Sequence, residues 1–375
     1  MKLINKGVKF VKRPLNKPDA SVFEMHEEML TPIKQGQYLM RNIFLSMDPA
    51  LVGRMREEDN YADKVNLGDT MHAYGIGQVI QSNNDKVKVG EVRLGRIDMQ
   101  EYSAFSDENA TTMINLGLAE ANWYLSAVGI TGATAYFALN EIGKPQKGET
   151  VLVSSGGSSV GSLAGQIAKQ MGCRTIAIVS TEDKAQQVMQ DFRYDGAISY
   201  RGKSIQALSD DIALACPNGV DVYFDNTSGD ISEAVLDQLN ENARIAVVGR
   251  LGISHLANSS DDVGRRDHNI LLTKRVKKQG FVILDYQDRM KGALIRLARW
   301  VREGHITGLE DRVQGIESAP DAFFRMLSGQ NKGKQIVQLA EVNDILDPAP
   351  RWLGRLMIAK YFPTQWLAKR LTKGI

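Results

Sequence analysis

The sequence predicts an all-β segment followed by an α/β segment built on a parallel sheet. Three observations predict it. Residues 1–123 hold short apolar runs broken by Gly, Asn and Asp, as in 37–45 (QYLMRNIFL) and 74–81 (YGIGQVIQ), the texture of a barrel or sandwich. From about Trp123, continuous β-branched runs alternate with helical stretches, the mark of a parallel sheet covered on both faces. The length of 375 residues also exceeds one domain, since domains run to about 100–200 residues.

The first strand of the α/β part is 150–154 (TVLVS), followed by a helix on which Val160, Leu163, Ala164, Ile167, Ala168 and Met171 recur at spacings of three and four. Gly172 is placed to end that helix. Further strands follow at 175–180 (TIAIVS), 220–226 (VDVYFDN) and 244–249 (RIAVVG), with helices between them. A helix at 297–303 then leads to a last strand at 335–340, and the final 35 residues form a separate tail.

Composition narrows the function. The chain is 43% hydrophobic and 24% charged with a net charge of +2, so it is a folded protein without the global basic footprint of a nucleic-acid binder. Two thiols, Cys173 and Cys216, are too few for a disulfide framework or a Cys-rich structural zinc site, and free thiols suit a reducing compartment. The opening MKLINKGVKFVKRP lacks a continuous apolar core and a small-residue cleavage site, and no run approaches the roughly 18 apolar residues of a membrane span. The expected location is the cytoplasm.

The chemistry begins where strand 150–154 meets Ser155-Gly156-Gly157-Ser158-Ser159-Val160-Gly161 and then a helix. Strand, glycine turn and helix in that order make the setting of a dinucleotide fingerprint: glycine lets backbone N–H groups approach a pyrophosphate, and the helix N-terminus adds donors. As G-x-G-x-x-G the motif reads Gly156, Ser158, Gly161, so its central glycine is missing, although the Ser158 hydroxyl can donate to a phosphate. A tight ligand-free connection is the competing reading. An NAD site wants an acid about 20 residues on, for the ribose 2′-hydroxyl. Here the next strand ends in Ser180-Thr181, with Lys184 soon after and Arg201 beyond the following strand. Hydroxyls and cations favour a 2′-phosphate and hence NADPH, against the plain alternative of a solvated lysine at a helix start.

Several segments together resemble one family: LSMDP and GRM (45–49, 53–55), VGITGATAYFALNEIGKPQKGETVLVS (128–154), VGSLAGQIAKQMGC (160–173), ACPNGVDVYFDN (215–226), LNENARIAVVG (239–249) and GQNKGKQIV (329–337). The chain is similar to the zinc-independent medium-chain dehydrogenase/reductases, in their prostaglandin reductase and curcumin reductase branch of NADPH-dependent enone reductases, over about residues 1–340. The resemblance implies a GroES-like β-barrel catalytic domain, 1–123 and 297–340, around a doubly wound parallel-sheet Rossmann domain, 124–296, with residues 341–375 outside the match.

It also implies a cofactor, NADP(H), in the cleft between them. Gly156, Gly157, Ser158, Ser159, Val160 and Gly161 would cradle it, and Lys184 and Tyr200 would hold the 2′-phosphate. Asn226 and Gly249 would line the nicotinamide side and Asn331 would reach it from the returning segment. An amide that donates and accepts suits ribose hydroxyls and a carboxamide, while a local turn is the competing reading for each Asn. Residues 1–123 hold no cysteine and only His26 and His72, so no catalytic zinc is expected and the carbonyl would be polarised by hydrogen bonds.

Departures from the family bear on catalysis. Its tyrosine after the DP dipeptide is Ala50 here, and its S-x-Y-N element is replaced by Ile253-Ser254-His255-Leu256-Ala257-Asn258. Tyr61 is the retained phenol expected near substrate, Tyr136 begins a helix and is expected to pack, and His255 stands near the lost tyrosine as a substitute donor. The loop 258–269 is more charged than the family's Pro-rich loop.

The tail, 349–375, carries Arg351, Arg355, Lys360, Lys369, Arg370 and Lys373 with no acid, leaving residues 1–348 at a net −4. Interleaved with Trp352, Tyr361, Phe362 and Trp366, it suits peripheral contact with an anionic membrane, or docking on its own domain or on a dimer mate. The expected activity is NADPH-dependent reduction of the C=C bond of α,β-unsaturated ketones and aldehydes, with hydride transfer and no metal. A quinone oxidoreductase and a weakly catalytic NADP-binding, membrane-associated protein are the alternatives. The expected partners are a small-molecule enone, alkenal or quinone and a second copy of the chain.

Overall fold

The computed structural model describes residues 3–14, 18–57, 63–253, 256 and 261–343. Both halves anticipated from the sequence are present. The first begins with a hairpin of β1 (Ile4–Phe10) and β2 (Phe23–Met29). Strands β3 (Tyr38–Ser46), β4 (His72–Ser82), β5 (Val92–Asp98), β6 (Tyr102–Phe105) and β7 (Thr111–Met113) follow, with a short helix α1 (Ala50–Met55) after β3. All their pairings are antiparallel. Period-two alternation gives this sheet two apolar faces. One packs Leu45, Ala73, Val79 and Ile97 against Val8, Phe10 and Phe323. The other packs Phe44, Ile76 and Leu94 against Tyr124, Leu125, Val128 and Ile295, toward the second half.

That second half is a parallel sheet of β8 (Thr150–Ser154), β9 (Arg174–Val179), β10 (Gly196–Ser199), β11 (Val220–Asp225), β12 (Leu239–Val247) and β13 (Lys277–Gly280). Its spatial order is β10-β9-β8-β11-β12-β13. This is the doubly wound order, which opens a ligand crevice at the carboxyl ends where the winding reverses, between β8 and β11. One face is covered by α2 (Ile130–Phe137), α3 (Ser159–Gln170), α4 (Glu182–Phe192) and α8 (Met290–Arg302). The other is covered by α5 (Ile205–Ala215), α6 (Gly229–Val235) and α7 (His268–Thr273). Along β8, Val151 and Val153 serve the first face and Leu152 the second.

The chain then returns to the first sheet through β14 (Glu310–Gln314), α9 (Ala319–Leu327) and β15 (Lys334–Gln338), with β15 antiparallel to β3. Among the described residues no helix is long and apolar enough to cross a membrane.

The predicted apolar face of α3 is observed: Leu163, Ala164, Ile167 and Ala168 are buried, Val160 and Met171 pack beside them, and Gly172 follows at φ 83°. Helix α8 begins earlier than the stretch 297–303, and β15 ends earlier than the stretch 335–340. Strand β13 was not anticipated. Its sequence KKQG is exposed throughout and carries no apolar period, so its place at the sheet edge rests on backbone pairing with β12.

Candidate active site

The glycine loop leaves β8 and turns into α3 at the reversal of the winding. Close approach of backbone explains its glycines. A Cβ at Gly156 would lie 2.5 Å from the Ala177 Cβ, and one at Gly161 would lie 2.2 Å from the Ser155 carbonyl oxygen. Gly157 is less constrained, with Val188 at 3.3 Å. Ser158 is the N-cap of α3: its hydroxyl oxygen accepts from the Gly161 N–H at 3.1 Å, which leaves its own proton to donate. The missing central glycine is thus a helix cap. The first two N–H groups of α3, on Ser159 and Val160, donate to no acceptor among the described residues, and the helix dipole adds a positive end there. This cradle fits an anionic pyrophosphate.

A residue outside the motif holds the loop. The buried Tyr194 hydroxyl donates to the Gly161 carbonyl at 2.7 Å. Its ring fills the space over Gly165, where a Cβ would lie 2.1 Å from Cζ. No local pattern signals this contact.

At the carboxyl ends of β9 and β10 the chain assembles the second group of predicted residues. Thr181 caps α4, accepting from the Lys184 N–H at 3.3 Å. The Lys184 Nζ donates to the Gly329 carbonyl at 2.6 Å, joining α4 to the returning segment. Tyr200 follows β10 and is half-buried, with the exposed Arg201 next to it. Burial, and then the nearby Arg201 guanidinium, push the Lys184 pKa down. Two cations held close enough to disfavour one another are relieved by an anion between them. Glu182, at the start of α4, is occupied by the Ser199 hydroxyl. The donor set therefore fits a 2′-phosphate.

At the reversal point Asn226 is buried. Its backbone N–H donates to the Ser154 hydroxyl at 2.9 Å and its Nδ2 to the Ser154 carbonyl at 3.0 Å, so its Oδ1 is the group left to accept from a ligand. Gly249 lies against it: a Cβ there would stand 2.7 Å from the Asn226 carbonyl oxygen. Asp225, buried beside them, accepts from the Thr227 and Ser228 N–H groups and the Ser232 hydroxyl, fixing the turn. Asn331 turns its Nδ2 onto the Gly333 carbonyl at 2.6 Å, within the loop that Lys184 grips.

Both predicted catalytic groups, Tyr61 and His255, lie outside the described residues, as does the tail from residue 344. Their flanks are described and converge. Arg13 donates to the Met55 and Val65 carbonyls, closing the loop that carries Tyr61. Arg56 donates to the Leu256 carbonyl at 2.5 Å, next to His255. Tyr136 packs as expected, with ring centroids 5.3 Å from Phe137 and 6.1 Å from Trp300.

One further pairing escaped the sequence reading. Lys334, buried at the start of β15, forms an ion pair with Asp48 of the DP dipeptide, and Asp48 also accepts from Ser46. Lys334 lines a small cavity with Ser126, Ser159 and Ser162, at the N-terminus of α3.

Comparison with known proteins decides the family. Residues 6–114 match a family model described as the N-terminal domain of oxidoreductase, and residues 159–299 one described as zinc-binding dehydrogenase. The chain is 32% identical to the NADPH-dependent curcumin reductase of Escherichia coli over 88% of this chain and 95% of that one. It belongs to the medium-chain dehydrogenase/reductases, in their zinc-independent enone reductase branch. A second relative of this branch, the NADP(+)-dependent 2-alkenal reductase of Nicotiana tabacum, is 31% identical over 86% of this chain and 93% of its own. CurA from Vibrio vulnificus, in complex with NADPH, superposes with a TM-score of 0.83 at 33% identity, covering 90% of this chain and 99% of that one. This medium-chain reductase pairs a Rossmann sheet with a separate, mainly antiparallel sheet.

Proposed function

We propose that this enzyme reduces the C=C bond of α,β-unsaturated ketones and aldehydes with NADPH. The observation that carries the cofactor choice is the pair of cations, Lys184 and Arg201, at the carboxyl ends of β9 and β10. The substrate class follows the relatives, whose names include a curcumin reductase, a 2-alkenal reductase and a (+)-pulegone reductase.

When bound, the cofactor supplies a hydride to the β-carbon of the substrate. The chain's own groups do the rest. The Ser159 and Val160 N–H groups and the Ser158 hydroxyl hold the pyrophosphate. Lys184, Tyr200 and Arg201 hold the 2′-phosphate. The Asn226 Oδ1 accepts from the carboxamide or a ribose hydroxyl, beside Gly249, and Asn331 contributes from the returning loop. Tyr61 and His255 donate to the carbonyl oxygen as charge develops on it, from segments whose flanks meet through Arg56 and Leu256. The catalytic domain is assigned to 1–123 and 297–340 and the cofactor domain to 124–296. Substrate-dependent oxidation of NADPH by the purified chain tests this reading. Absence of turnover with enones and alkenals refutes it.

A further inference from the structure

The loop that carries Asn331 joins α9 to β15, and its two ends are held unequally. At the β15 end Gly333, at φ 88°, is boxed in: a Cβ there would lie 2.1 Å from the Leu309 carbonyl oxygen. Lys334, next in the chain, donates its backbone N–H to that same carbonyl at 2.7 Å and its ammonium to Asp48. At the α9 end Gly329, at φ 67°, has room: a Cβ there would meet only the Lys184 Nζ within 4 Å, at 3.8 Å. The Gly329 and Gln330 N–H groups close the last turn of α9 on the Met326 and Arg325 carbonyls, and the Lys332 N–H donates to Asp311. All of these bonds stay within the returning segment. Among the described residues, one hydrogen bond ties the loop to the parallel-sheet half: the Lys184 Nζ donates to the Gly329 carbonyl at 2.6 Å.

The lysine that grips the loosely held end is therefore the one assigned to the 2′-phosphate. An ammonium has three donors, so it can serve Gly329 and an anion together. Two effects make the anion strengthen the grip. Ordering a long lysine side chain costs conformational entropy, and a lysine already fixed by an anion loses that freedom once for both bonds. Burial, and then the Arg201 guanidinium, disfavour the Lys184 charge in the free protein, and an anion restores it. Asn331 stands two residues beyond Gly329, with its Nδ2 spent on the Gly333 carbonyl and its Oδ1 without a partner among the described residues.

We propose that Lys184 is a positioning residue as well as an anion ligand: a phosphate in its pocket tightens its hold on the Gly329 carbonyl and thereby sets Asn331 for the nicotinamide end. The inference rests on the NADPH reading of this site. It makes the 2′-phosphate a determinant of turnover and not of affinity alone. The route is short and physical: phosphate, Lys184 ammonium, Gly329 carbonyl, Asn331 amide. The other end of the loop, locked by Leu309 and Asp48, gives the pull something to act against. Coupling between two sites typically amounts to 5- to 150-fold, and one hydrogen bond places this case at about tenfold.

The test uses two fragments that lack the nicotinamide, adenosine 2′,5′-bisphosphate and adenosine 5′-monophosphate, which differ only in the 2′-phosphate. Each is added at saturation to the full-length wild type and to Lys184→Met, and hydrogen–deuterium exchange is followed at the amides of residues 329–333. In wild type the bisphosphate should slow their exchange about tenfold relative to the monophosphate, and in Lys184→Met the two fragments should act alike. Steady-state kinetics give a second readout. Wild-type kcat should be about tenfold higher with saturating NADPH than with saturating NADH. Asn331→Ala should close that gap, and adding Lys184→Met to it should lower kcat no further, the mark of two residues acting as one unit. Equal exchange with both fragments in wild type, protection that survives Lys184→Met, or equal kcat with the two cofactors overturns the proposal. A bisphosphate that binds wild type no more tightly than the monophosphate refutes the 2′-phosphate reading itself, a result distinct from these.

Discussion

Lys184→Ala isolates the cofactor argument. In the free protein Lys184 donates to the Gly329 carbonyl and is held near Arg201, in a site that disfavours its charge. A lysine has three donors, so it can keep Gly329 and still meet a 2′-phosphate. A hydrogen bond to a charged partner contributes about 1.5–3 kcal/mol, so the substitution should weaken NADPH binding by about 10- to 100-fold. NADH lacks the phosphate, and its affinity should move by less than about threefold. Stability should change little, because the lost Gly329 bond is offset by relief of the buried, repelled charge. Titrating both cofactors into wild type and variant at fixed ionic strength, by quenching of protein fluorescence, gives the four constants. The sign of the pH dependence is also fixed. The Lys184 pKa is lowered in the free protein and raised again by a bound phosphate, so binding takes up protons and NADPH affinity falls as pH rises through that window. The variant should lack this component. Equal weakening of NADPH and NADH, or no weakening of either, would refute the 2′-phosphate assignment.

The remaining expectations concern the loop, the nicotinamide end and the donors. Gly165→Ala forces a Cβ into the Tyr194 ring that supports Gly161, and overpacking of this kind costs about 1–3 kcal/mol, read as a lower melting temperature together with weaker NADPH binding. Asn226→Ala removes the amide held by Ser154 and should lower kcat/KM by about tenfold or more, since a stranded buried carbonyl costs about 1–3 kcal/mol; unchanged kinetics would remove Asn226 from the site. Tyr61→Phe should lower turnover without abolishing NADPH binding, and unaltered kinetics would take Tyr61 out of the mechanism.

Much of this was legible in the sequence because it is local. The apolar period of α3, the glycine turn after β8 and the hydroxyl-and-cation end of β9 each sit within a few residues, and the structure keeps each in its expected place. Ser158 read as a defect in a glycine motif and proves to be a cap, because capping is as local as the motif it interrupts. What was not legible is non-local. The Asp48–Lys334 pair joins residues 286 apart in the chain, and Tyr194 reaches back to Gly161 across an entire helix and strand. Neither leaves a period or spacing to read. Strand β13 was missed for the opposite reason: an exposed edge needs only backbone pairing, so its side chains carry no pattern.

The most direct measurement is the loss of reduced-nicotinamide absorbance with purified protein, NADPH and NADH run separately against a small set of enones, alkenals and quinones. NADPH-selective turnover of an enone to its saturated ketone is the predicted result. Tight NADPH binding with no turnover of any of them would contradict the account and return the chain to a cofactor-binding role.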